Sequence, residues 1–303
     1  MKKNSPYAKN IFNFSMVFMT AYLINSSVSA AHFPQDEDTP FGVSAVRRDL
    51  SIEEDLKIPN PEVDGKIATL NQTGFMTPDQ NPYNLQFIEF AAQCSVPSLE
   101  IGAAYGLTSL PALRREVRLV ANDIDERHLL LLREQVPEEL RANLTLNKRK
   151  FPNEMNFPGN SLKAILACRV FHFLSEDEME QGLEKMKHWL IPGGRIFVVT
   201  MSPHHRHLKE KFLPLYLEKV KEGNPWPGII QNMHEYVPHE AEQIPQFVHV
   251  MDTDSLGNAF RRHGFTVIQE SLFDYTRPGA QANNGKGYYG IVVEKPAVSA
   301  STE

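Results

Sequence analysis

Glu100 and Asp123 stand twenty-three residues apart, and each closes an apolar run. The first run continues into a small-residue loop, Leu99-Glu100-Ile101-Gly102-Ala103-Ala104-Tyr105-Gly106. A strand that ends in an acid and then a glycine loop lets the backbone come close to a ligand. The second run, Val117-Arg118-Leu119-Val120-Ala121-Asn122, delivers Asp123 to a strand tip, placed to accept both hydroxyls of a ribose. Together the two acids predict a nucleoside-containing ligand. A dinucleotide site would want Gly-x-Gly-x-x-Gly, so that a helix N-terminus meets the pyrophosphate. From Gly102 the spacing here is Gly-x-x-x-Gly, with no third glycine.

The elements that must hold these residues alternate. Strands are expected at 95–101, 117–123, 144–150, 162–169 and 195–201, with helices at 107–115, 126–136 and 176–190. Pro82 can open an earlier helix with Leu85, Ile88, Ala91 and Ala92 at helical spacing. Asp252, Thr253 or Asp254 can cap a late helix ending at His263-Gly264. Two final strands follow at 265–275 and 288–294, joined by a glycine-rich loop. Apolar strands such as Leu162-Lys163-Ala164-Ile165-Leu166-Ala167-Cys168 suit a parallel sheet covered on both faces. The alternation predicts a doubly wound α/β fold.

Between 203 and 250 the pattern breaks into Pro, His and aromatic residues, with a helix expected at 205–222 and a kink or break near Pro214. His204, His205 and His207 lie close in sequence, but no Asp, Glu or Cys separates them, and neighbouring histidines on a helix point apart, so no metal site is assigned. Residues 31–78 read as an extended arm rich in Pro, Asp and Glu. Residues 1–30 read as a signal peptide: Lys2, Lys3 and Lys9, then eleven apolar residues among fourteen, then small residues with cleavage expected after Ala30. A fourteen-residue helix covers ~21 Å, short of the ~30 Å hydrocarbon core, so no stable membrane span is expected after cleavage. Cleavage would make the protein exported, periplasmic or secreted; retention would leave it cytoplasmic or membrane-anchored. Cys94 and Cys168 read as two buried free thiols. The 303 residues are 42% hydrophobic and 22% charged, enough apolar content for a sizeable core. A formal charge of −6 and the lack of a basic run argue against a nucleic-acid partner.

Three motifs in order carry a family resemblance: the glycine loop; Asp123-Ile124-Asp125; and a run from Asn156-Phe157-Pro158-Gly159-Asn160-Ser161 through Phe171-His172-Phe173-Leu174 to Leu190-Ile191-Pro192-Gly193-Gly194-Arg195. The chain resembles the Rossmann-like class I S-adenosylmethionine-dependent methyltransferases, in particular their small-molecule branch, over about 80–297 apart from 203–250. The resemblance implies a seven-stranded sheet whose last strand is antiparallel. It implies a core at 79–202 and 251–297, with 203–250 inserted as a mostly helical lid and 298–303 as a tail.

By the family pattern, Glu100 bonds the methionine ammonium, Gly102, Ala103, Ala104 and Gly106 pass under the methionine tail, Asp123 holds the ribose and Ile124 packs on adenine. The pattern has glycine where Ala104 stands, so the turn there is expected to be relaxed or slightly shifted. It often places an acid after the third strand for the adenine amine, where this chain has Phe151-Pro152-Asn153-Glu154; Asn153 or Glu154 would serve after a small shift. Arg169 is placed to bond a carboxylate of the cofactor or acceptor, or stands as a surface charge at a strand end. His172 is the base candidate because its unperturbed pKa is near neutrality, against a reading as a packed histidine. The implied function is methyl transfer from S-adenosylmethionine to a small-molecule acceptor by in-line displacement. The competing reading is an exported, non-catalytic binding protein that kept the fold.

Overall fold

The computed structural model describes residues 56–62, 65–275 and 283–297, all within the unit Pro34–Glu303. The expectations for residues 1–30 and 298–303 lie outside the described residues. Among those described, no helix is long and apolar enough to cross a membrane.

A short hairpin, β1 (Ile67–Ala68) and β2 (Phe75–Met76), leads into helix α1 (Pro82–Ala91). The alternating core follows: β3 (Ser98–Ile101), α2 (Ser109–Arg114), β4 (Leu119–Asp123), α3 (Glu126–Gln135), β5 (Leu144–Lys148), β6 (Leu162–Cys168), α4 (Glu176–Trp189) and β7 (Leu190–Met201). The insertion contains α5 (Leu213–Lys221), two single-turn 3₁₀ segments and the paired β8 (Ile229–Ile230) and β9 (Val248–His249). A one-turn π-helix, Thr253–Gly257, runs into α6 (Asn258–Arg262), and β10 (Thr266–Phe273) and β11 (Tyr288–Glu294) complete the sheet.

The seven main strands lie in the order β10-β11-β7-β6-β3-β4-β5. Pairing is parallel from β7 to β5, whereas β11 is antiparallel to both β7 and β10. This is the doubly wound sheet that the alternation predicts, with the seven strands and reversed final strand that the family resemblance implies.

Side chains leave a strand alternately to its two faces. Ile165 and Ala167 of β6 and Ile196 and Val198 of β7 pack with Met179, Leu183, Met186 and Trp189 of α4. Their neighbours Ala164, Leu166, Phe197 and Val199 pack on the other face with Phe87 of α1, Leu113 of α2 and Leu129 and Leu132 of α3. Both faces are therefore covered, which explains why these strands are continuously apolar. The insertion has its own core of Leu208, Phe212, Tyr216, Ile230, Met233, Val237, Val248 and Val250.

Several local expectations are corrected. The buried face of α1 is Tyr83, Phe87, Ile88 and Ala91, while Leu85 is 51% exposed, because the sheet selects a stripe that the periodicity alone does not fix. Pro214 sits in the first turn of α5, which begins at Leu213, instead of breaking a longer helix, since its missing N–H costs nothing there. Pro97 precedes β3, and its carbonyl accepts from the Lys163 amide at 2.7 Å. Cys94 is exposed, not buried. Part of the arm is the β1–β2 hairpin.

Candidate functional site

The carboxyl ends of β3, β4 and β6 open into a cavity of about 510 Å³. Glu100, Gly102, Ala103, Ala104, Asp123, Ile124, Arg169 and His172 all line it; among the sequence-predicted site residues, Gly106, Asn153 and Glu154 do not. The hairpin supplies Thr69, Asn71 and Thr73 to Met76 along one side, and the insertion supplies Met233, Val237, Glu240, Ile244 and Val248 along another.

Glu100 is 4% exposed at the end of β3. Ser109 donates its hydroxyl to one carboxylate oxygen at 2.5 Å, and no cation pairs with it among the described residues. Burial therefore pushes its pKa up to about 7, with the hydroxyl bonds opposing that rise. A buried carboxylate of this kind is a ready partner for an ammonium ion.

The loop after it is tightly folded. Gly102 has φ +73°, and a Cβ there would fall 2.4 Å from Cγ2 of Val170. Gly106 has φ +90°, and a Cβ there would fall 2.3 Å from Cδ1 of Leu132. Between them Ala104 sits at φ +44°, in the left-handed region. The turn is thus not relaxed by the alanine; the backbone keeps the glycine-like conformation. It is pinned there because the Ala103 amide donates to the Asn122 carbonyl at 2.8 Å and the Ala104 amide to Asp123 at 2.9 Å. An alanine so held costs roughly 1–2 kcal/mol, of which glycine's extra unfolded-state freedom would cancel ~0.5–1. Ala104→Gly is accordingly expected to raise the unfolding free energy by about 0.5–1 kcal/mol, read by urea denaturation; a loss of stability would contradict the strain.

Asp123 is 5% exposed and already well satisfied. Its Oδ1 accepts from the Asp125 amide at 2.9 Å and from Nδ1 of His128 at 3.1 Å, and its Oδ2 accepts from Ala104. Three of its roughly four lone-pair sites are taken, which leaves one, on Oδ2. The expectation of two ribose hydroxyls on this carboxylate is reduced to one. His128, 1% exposed, was not legible as a site residue. Its Nε2 accepts from the Leu70 amide at 3.0 Å, so its proton is on Nδ1 and points at Asp123. Sequence offered only a lone histidine on a helix.

Ile124 is 51% exposed at the cavity wall, an uncovered apolar surface. Phe151 is buried and lies parallel to Phe171 at 6.0 Å, so it belongs to the core. Asn153 donates to Glu178 at 3.0 Å, and Glu154 accepts from the Lys150 amide at 2.8 Å. Neither side chain lines the cavity in this arrangement.

Arg169 has φ +59° and is not a surface charge. Its Nη2 donates to the Phe75 carbonyl at 2.7 Å. His172 is held at a pKa of about 3 by burial and by the Arg169 charge. A general base works best with a pKa near the operating pH, so in this arrangement the neutral His172 imidazole is a weak base. His205 is also held near 3 by burial, and its ring lies 5.1 Å from that of His207. Among the described residues no three metal-ligating side chains gather.

The hairpin is strapped over this cavity. Tyr105 donates to the Ala68 carbonyl at 2.9 Å, Arg127 to the Leu70 carbonyl at 2.8 Å, and Lys66 pairs with Glu240 of the insertion at 3.3 Å.

Residues 99–194 match a family model described as a methyltransferase domain. No curated protein matches the chain in sequence. Among solved structures, an S-adenosylmethionine-dependent methyltransferase from Methanosarcina mazei superposes with a TM-score of 0.51 at 13% identity, over 73% of this chain and 100% of that one. Another from Mesorhizobium loti gives 0.50 at 14% identity, over 71% and 98%. The core has the Rossmann-like class I S-adenosylmethionine-dependent methyltransferase fold.

Proposed function

We propose that this chain, built on the class I methyltransferase fold, binds S-adenosylmethionine and methylates a small molecule. The observation that carries the reading is the pair of buried strand-end carboxylates, Glu100 and Asp123, on either side of a left-handed loop that leaves room only for backbone. The donor set fits the group. Glu100 is a buried carboxylate without a cation and suits the methionine ammonium; Asp123 keeps one acceptor site for a ribose hydroxyl; Ile124 offers an exposed apolar face for a purine. When bound, the sulfonium supplies a methyl carbon to an acceptor lone pair, and the electrons of the broken carbon–sulfur bond stay on sulfur. The chain's own contribution is to orient the partners and exclude water, through the loop, the hairpin and the insertion. His172 is held neutral by burial and by the Arg169 charge, and His205 by burial.

Calorimetric titration of the wild-type protein with S-adenosylhomocysteine tests the reading. Saturable 1:1 binding is expected, and no heat from well-folded protein would sink it. The raised pKa of Glu100 gives a pH signature. Folded Glu100 holds its proton up to about 7 and the unfolded chain releases it near 4.5, so this group lowers the stability of the ligand-free protein as pH rises between those values. An incoming ammonium reverses the preference and expels the proton. Affinity is expected to rise by about tenfold per pH unit below 7 and to level off above it. Titrations in buffers of different ionisation heat would show release of one proton at pH 6; a flat profile with no release would remove Glu100 from the ammonium site.

A further inference from the structure

The half of the cavity away from Glu100 and Asp123 holds an arginine that the fold does not neutralise. Arg169 directly follows β6, with its backbone in the left-handed region that non-glycine residues avoid. Its guanidinium reaches the Phe75 carbonyl and the ring of Tyr275, whose centre is 5.9 Å away, and it lies close to Tyr288. Tyr275 follows β10 and Tyr288 opens β11, so the charge points across β7, away from β3 and β4 where the proposed cofactor contacts lie. Among the described residues no carboxylate pairs with it. Two carboxylates on that side are engaged elsewhere: Glu240 with Lys66, and Asp274 with the amides of Asn283, Gly285 and Gly287. A guanidinium removed from bulk water without an anion is costly, and its fork matches a carboxylate.

Two further groups on the same cavity are incomplete. Nδ1 of His205, a residue only 8% exposed, has no hydrogen-bond partner, and neither has Nδ1 of His172. The His205 ring lies 6.0 Å from that of Tyr288, and the Arg169 charge acts on His172, so both imidazoles belong to the arginine's surroundings. Held neutral by burial, each ring can donate or accept without adding charge.

We propose that the methyl acceptor is a small carboxylate-bearing molecule, whose carboxylate pairs with Arg169 while the unpartnered nitrogens of His172 and His205 bond its polar atoms. The proposal rests on the methyltransferase reading above. A carboxylate so held is a handle: its lone pairs face donors, and the atom that is methylated lies elsewhere on the molecule. The same guanidinium could instead meet the methionine carboxylate of the cofactor, and the experiment separates the two sources.

S-adenosylhomocysteine affinity is measured by calorimetry for wild type, Arg169→Gln and Arg169→Lys. Acetate and acetamide, at matched ionic strength, are then titrated into the protein saturated with S-adenosylhomocysteine, with thermal shift as the readout. Expected are an S-adenosylhomocysteine affinity unchanged within about threefold in both variants, and stabilisation of wild type by acetate but not acetamide. The acetate response should weaken at least about tenfold in Arg169→Gln and fall between in Arg169→Lys, as loss of a charge-assisted bond demands. Equal responses to acetate and acetamide would overturn the proposal. So would a tenfold loss of S-adenosylhomocysteine affinity in Arg169→Gln, which would assign the guanidinium to the cofactor. If wild type fails to bind S-adenosylhomocysteine, the methyltransferase reading is what has failed, and acetate titration of the ligand-free protein still reads the arginine.

Discussion

Asp123→Asn should cost the protein roughly 10- to 150-fold in S-adenosylhomocysteine affinity, the equivalent of about 1.5–3 kcal/mol for a hydrogen bond to a charged group. The change is nearly isosteric, so shape is not the cause. The carboxylate serves donors on both oxygens: Asp125 and His128 on one, Ala104 on the other. An amide offers one oxygen and one NH₂. Turned toward His128, its oxygen leaves the Ala104 amide facing a second donor and removes the remaining acceptor site. Turned toward Ala104, it strands the Asp125 amide and Nδ1 of His128. His128 cannot escape by shifting its proton, because Nε2 already accepts from Leu70. At least one buried donor is orphaned either way, so the variant should also lose about 1–3 kcal/mol of stability. Calorimetry and urea denaturation report the two losses separately; unchanged affinity in a folded variant would take the ribose away from Asp123.

Gly102→Ala should be the most damaging single methyl group in the loop. At φ +73° an L-residue costs roughly 1–2 kcal/mol, and a Cβ 2.4 Å from Val170 adds about 1–3 for overpacking. Valine is stiff at χ1, so its methyl cannot simply swing away. A total of about 2–5 kcal/mol is a large part of a typical folding free energy of ~5–15, and should lower the melting temperature by on the order of 10 °C. The clash has a named partner, and this gives the check. Val170→Ala removes Cγ2 and should restore part of the loss when combined with Gly102→Ala. Additive effects of the two changes would show that the contact is not the cause. Ala104, two residues on in the same loop, marks the contrast: it has the strained backbone but is retained by the chain.

The strands that carry Glu100 and Asp123 were legible because both faces of the sheet are covered, which makes them read as unbroken apolar runs. Pro82 was legible as a helix start because a proline in the first turn gives up no hydrogen bond. The buried side of α1 was not, since Leu85 and Phe87 are equally apolar and only the packing of Phe87 on Phe197 distinguishes them. The hairpin escaped notice because two-residue strands have no periodicity to detect. His128 escaped because its role depends on the Leu70 amide, fifty-eight positions away. Arg169 and His172 were recognised by position, but their character was not: burial and mutual charge, invisible in the sequence, make one an unneutralised cation and the other a weak base.

The hairpin's attachment to the core is almost entirely through its own main chain. Tyr105, Arg127 and Arg169 grip the carbonyls of Ala68, Leu70 and Phe75, and His128 accepts the Leu70 amide. Any residue other than proline at position 70 presents the same amide, and every residue presents the carbonyls. Fastening and cavity lining are thereby uncoupled along one segment. Phe75 and Met76, which line the cavity, can drift under selection for a different acceptor, while Thr69, Asn71 and Thr73 hold the turn itself through their side-chain oxygens. The segment is a natural window for changing substrate preference by random mutagenesis, with little call on the stability of the sheet beneath it.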